Sequence, residues 1–101
     1  MTTDERIKTL ATNLSRGTIS RDDTLRELDE LKLAFDDRQL AGTGNYTGKI
    51  GEARTWADIY FSDRKSSQYD ENGMSGRQKV KGFLLNDLAT AAQIAKNLQG
   101  G

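Results

Sequence analysis

The stretch GTGNYTGKIG, residues 42–51, sets Gly42, Gly44, Gly48 and Gly51 around a Gly–Lys pair. Those are the residue types with which a chain cradles phosphate, because glycine lets backbone N–H groups come close and lysine neutralises the charge. The spacing does not fit. A phosphate loop has four residues between its first glycine and the Gly–Lys pair and a hydroxyl residue after the lysine. Thr43 and Ile50 stand at those places. A dinucleotide-binding turn starting at Gly42 and Gly44 would need its third glycine where Thr47 stands. Both motifs also follow a strand, whereas a leucine-rich helical pattern precedes this stretch. It therefore reads as an interhelical connector that displays Tyr46 and Lys49, with a nucleotide or small-ligand site in the 42–51 loop as the lesser alternative.

The other chemical spacings are weaker. Ser62 and Lys65 match the Ser-x-x-Lys of serine acyl-enzymes, but the companion motifs are missing and 101 residues cannot build that two-part scaffold. DENG at 70–73 would place Gln68 and Lys79 where a calcium loop needs carboxylates, so it reads as a turn. The adjacent acids Asp22 and Asp23, and Asp36 and Asp37, point about 100° apart on a helix and chelate poorly. Asn45-Tyr46-Thr47 is a glycosylation signal only in a secreted chain. With no histidine and no cysteine, the commonest general base, thiolate chemistry and disulfides are absent. These readings predict a non-enzymatic protein with no metal and no cofactor.

Asp87 stands apart. A helical wheel sets it in the middle of the apolar stripe Val80, Phe83, Leu84, Leu88, Ala91, Ile94, Ala95 and Leu98, where an ionised carboxylate needs a partner. The expectation is a structural acid paired with an arginine or a tyrosine hydroxyl.

The elements that position these residues follow from periodicity and punctuation. The absence of proline leaves glycine as the strong breaker. Ile7, Leu10, Ala11 and Leu14 recur on one helical face that ends at Gly17, predicting a helix over 4–16. Ser20 followed by Asp23 predicts an N-cap and a second helix over 21–40. On it, Leu25, Leu28, Leu31 and Phe35 form one flank and Leu33 and Leu40 another, an arc too wide for one neighbour. Ile50, Ala53, Trp56, Ala57, Tyr60 and Phe61 predict a third helix over 51–61, against a competing strand over 55–61 that the two alanines disfavour. Residues 62–75 read as a long exposed loop. Ser75 with Gln78 opens the fourth helix, 76–98. The fold class is thus all-α: a single domain, 1–101, forming a bundle of about four helices with a helical hairpin at the N-terminus.

The fifteen basic and fifteen acidic residues cancel, so no global field draws polyanions. A nucleic-acid reading can draw on Arg64, Lys65, Arg77, Lys79 and Lys81 with Tyr46, Trp56, Tyr60 and Tyr69 as stacking surfaces. Interspersed Asp63, Asp70 and Glu71 weaken it. With neither an apolar leader nor a membrane-length apolar run, the expected setting is cytoplasmic, with no membrane partner. The predicted function is that of a small helical interaction protein of the assembly-adaptor or mobile-element-inhibitor kind, acting as a homo-oligomer or on a protein partner. Its surface would combine Tyr46, Lys49, Arg54, Trp56, Tyr60, Arg64, Lys65 and Tyr69, since aromatics and arginine dominate binding hot spots.

Overall fold

Helix α1 (Thr3–Arg16) begins where Thr2 accepts a hydrogen bond from the Glu5 N–H and Glu5 reaches back to Thr2, a reciprocal cap. It ends as expected at Gly17, whose φ of 71° closes the helix in the left-handed region. Ser20 caps α2 (Arg21–Lys32) by accepting from the Asp23 N–H at 3.1 Å. The computed structural model describes residues 1–35 and 43–100, which add α3 (Thr43–Tyr60), α4 (Asp63–Ser67) and α5 (Gly76–Gly100) and contain no strand.

The cross-helix contacts fix the topology. Arg6 bonds Glu27 across α1 and α2, Arg21 bonds Asp58 and Tyr46 bonds Leu31 across α2 and α3, and Lys49–Asp87, Trp56–Phe83 and Tyr60–Arg77 link α3 to α5 in reverse order. Thr3 meets Gln99 while Lys81 meets Ser15, which runs α1 against α5. The four long helices therefore alternate up and down, as in a four-helix bundle. The core joins Ile7, Leu10 and Leu14, then Leu25, Leu28 and Leu31, then Tyr46, Ile50, Ala53 and Ala57, and lastly Leu84, Leu88, Ala91 and Ala95. Alanines on both sides let α3 and α5 approach closely. Although α1 and α2 form the expected hairpin, their packing on each other is slight compared with α1 on α5 and α2 on α3. A cleft of about 390 Å³ lies between them, lined in part by Arg6, Leu10 and Ile19.

Four expectations are corrected. The glycine-rich stretch is no connector, because from Thr43 onward it is the first half of α3 and offers no loop to cradle phosphate. Gly42 lies outside the described residues. Helix α2 ends at Lys32 with Leu33 as its cap, and residues 33–35 form a turn; residues 36–40 of its predicted span, with Leu40, Asp36 and Asp37, lie outside the described residues too. Leu33 is 68% exposed, so the second flank of the leucine arc is uncovered where it is described. The long loop contains α4, capped by Ser62, and then the DENG turn. There Glu71 and Met74 exchange backbone hydrogen bonds, while Asn72 and Gly73 both take positive φ, 44° and 85°, the mark of a tight primed turn. Residues 55–60 are helical, which settles the strand alternative.

The helical glycines carry a first prediction. A Cβ at Gly44 or Gly48 would meet nothing within 4 Å. Alanine at either site should therefore raise the unfolding free energy by about 0.5–1 kcal/mol through helix propensity alone. A lower urea midpoint in either variant would contradict α3 as drawn.

Candidate functional site

The residues picked from the sequence do not form one surface. Tyr46 is fully buried and donates from its hydroxyl to the Leu31 carbonyl at 2.5 Å, so its expected display on a loop is corrected. Arg54 faces α2 and bonds Asp29 at 2.8 Å. Lys65 bonds Asp58 at 2.6 Å, and Arg21 holds the other oxygen of that carboxylate at 2.9 Å. These two cations keep the Asp58 carboxyl below its ordinary range, Lys65 foremost. Arg64 is exposed, and its guanidinium has no partner among the described residues.

Trp56 is different. It faces α5, partly buried, with the Phe83 ring 4.9 Å from its own and Tyr69 edge-on at 5.7 Å. Nearby, Tyr60 stacks edge-on against Phe61, and the Arg77 guanidinium sits 5.8 Å from the Tyr60 ring centroid. Phe83 is 38% exposed. Sequence reasoning missed it by counting it among the core residues of α5. Yet at about 100° per residue Phe83 and Asp87 fall on the same edge of the stripe, away from its centre at Leu84, Ala91 and Ala95.

Asp87, expected in the middle of the stripe, lies on that edge and packs against α3. Only 6% of it is exposed, and its Oδ2 has no hydrogen-bond partner among the described residues. Its Oδ1 lies 3.8 Å from the Lys49 ammonium, which donates to Glu52 at 3.1 Å. The partner is thus a lysine, and the arginine or tyrosine hydroxyl expected for Asp87 is corrected. Burial, and then the Glu52 charge, push the Asp87 carboxyl above its usual 3.8, while Glu52 holds the Lys49 ammonium above its own usual value.

The sign of this shift gives a second prediction. A carboxyl whose folded value is raised binds its proton more tightly in the native state, so its contribution to stability is lost as pH rises from 3.8 through the folded value. Asp87→Asn should consequently be more stable than the wild type at pH 7, by about 1 kcal/mol. The gap should close below pH 4, checked by urea titrations at both pH values; an equal gap at both would remove the titration from the explanation.

Among the described residues no group of three or more His, Cys, Asp or Glu is placed to hold a metal ion, and no helix is long and apolar enough to cross a membrane. Comparison with protein-family models, curated proteins and solved structures gives no match.

Proposed function

We propose that this chain is a non-enzymatic helical interaction protein that binds a partner macromolecule along the α3–α5 seam, in the manner of an assembly adaptor or a mobile-element inhibitor. The observation that carries the reading is Phe83. A large ring left 38% exposed on top of a half-buried tryptophan, with Tyr69 beside it, has the make-up of an interface anchor. Local charge favours a protein over a nucleic acid, because Lys65, Arg77 and Lys79 are each held by an acid, Asp58, Asp63 and Glu71. Neutralised cations release few counterions from a phosphate backbone.

A photoreactive residue at position 83 should trap one defined adduct in cells that make the protein, and the same residue at Thr12, exposed on α1, should trap none. Equal labelling at both positions, or none at 83, would sink the reading. Phe83→Ala should weaken capture of the trapped partner at least about ten-fold and change fold stability by less than about 1 kcal/mol. Light scattering across a concentration series then separates a second copy of the chain from a different partner.

A further inference from the structure

Two pairs of side chains share the α3–α5 seam. On α3, Glu52 lies one helical turn before Trp56, and on α5, Asp87 lies one turn after Phe83, so each carboxyl neighbours a ring on the same helix flank. The antiparallel run of α3 and α5, seen in the Lys49–Asp87 and Trp56–Phe83 contacts, brings the two carboxyls together beside the two rings.

The carboxyl pair is incompletely served from within. Asp87 is more than nine-tenths buried, its Oδ2 receives no hydrogen bond among the described residues, and its Oδ1 has the Lys49 ammonium only at 3.8 Å, beyond hydrogen-bond reach. The ammonium's own short bond goes to Glu52. Buried carboxylate oxygens in native proteins are nearly always given a donor, and leaving one without is costly. Rings beside carboxylates attract cations twice over, through the charge and through the negative ring face. A guanidinium suits such a place better than an ammonium. It is flat, so one face can lie on an aromatic ring, and its fork of donors can serve two carboxylate oxygens at once.

We propose that the seam receives an arginine from a basic segment of the partner, its guanidinium donating to Asp87 and Glu52 and lying against Trp56 and Phe83. Lys49 is the internal ammonium that the incoming group displaces. This rests on the reading of the seam as the partner-binding surface and adds the chemistry of what docks there.

Trp56 is the only tryptophan of the chain, so its fluorescence reports on this seam alone. The probe is a capped Gly-Arg-Gly-Arg-Gly peptide, set against the same peptide with citrulline, the neutral isostere, in place of arginine. The arginine peptide should give a saturable change and the citrulline peptide should bind at least about ten-fold more weakly. Asp87→Asn should reduce affinity about five-fold or more, whereas Lys49→Gln should increase it about three-fold or more, because the competitor has gone. Asp22→Asn, on the exposed start of α2, should change nothing. Far-ultraviolet circular dichroism confirms that each variant is folded.

Equal binding of the two peptides would overturn the cation preference and leave the docking surface standing. No response to either, with the position-83 adduct present, would refute the arginine site alone; without the adduct, both readings fall. Weaker binding in Lys49→Gln would also overturn the proposal, since Lys49 would then be an ally of the ligand.

Discussion

Gly76→Ala is expected to lower the unfolding free energy by about 3 kcal/mol, a fall in Tm of roughly 12–24 °C for a domain of this size. A Cβ at Gly76 would sit 1.7 Å from the Ser66 carbonyl oxygen, 2.8 Å from its carbon and 2.9 Å from the Asp70 nitrogen. All three are backbone atoms, so no side chain can rotate away, and Ser66 is itself 3% exposed. The Gly76 N–H is tied to the Asp70 carboxylate, which fixes the approach of α4 to the start of α5. Alanine must push those two segments apart, and Tyr69 would move with them away from Trp56. Gly82→Ala, six residues along the same helix, is the control. A Cβ there meets nothing within 4 Å, so helix propensity should make that variant slightly more stable. Calorimetry on the pair decides the matter: a loss below about 1 kcal/mol at Gly76 would mean that α4 does not press on α5 as described.

Tyr46→Ala should cost about 3–5 kcal/mol, the range for deleting a buried aromatic ring. Tyr46 is the largest fully buried side chain among the described residues, and Phe35 meets its ring edge-on at 5.0 Å. Its hydroxyl also gives the Leu31 carbonyl at the end of α2 a second donor beside the Ala34 N–H. Tyr46→Phe keeps the ring and removes only that bond, so it should cost about 1 kcal/mol. Burial pushes the phenol up to about 12 from its usual 10.0. The native state therefore holds this proton more tightly than the unfolded chain, and the wild type should lose stability as pH rises from 10 to 12. Tyr46→Phe lacks that loss. Urea midpoints taken through this window should show the two proteins converging, and parallel curves would argue that the hydroxyl is solvated.

Much of the fold was legible because its causes are local. Apolar spacing and caps identified α1, the start of α2 and nearly all of α5, including Gly17, Ser20 and Ser75 at their ends. The glycine-rich start of α3 was misread for an equally local reason. Each glycine disfavours a helix by about 1 kcal/mol relative to alanine, and three of them within 44–51 outweigh any periodicity a reader can count. What makes the helix form is tertiary: Thr43, Tyr46 and Ile50 are buried, with Tyr46 anchored to α2. The same burial removed Tyr46 from the surface where its sequence neighbours seemed to put it.

The candidate site divides along the same line. The absence of histidine and cysteine, the failed phosphate and calcium spacings and the balance of charge belong to the chain itself and hold in any fold. Trp56 and Asp87 also stood out unaided, one as the single tryptophan and the other as an acid in an apolar stripe. Only the packed bundle decided that Trp56 meets Phe83, that Lys49 stops short of Asp87, and that Arg54 and Lys65 are paired with Asp29 and Asp58. Those pairings depend on the register and rotation of α3 against α5 and α2. That register is set by all the buried contacts together, and no short stretch of sequence carries it.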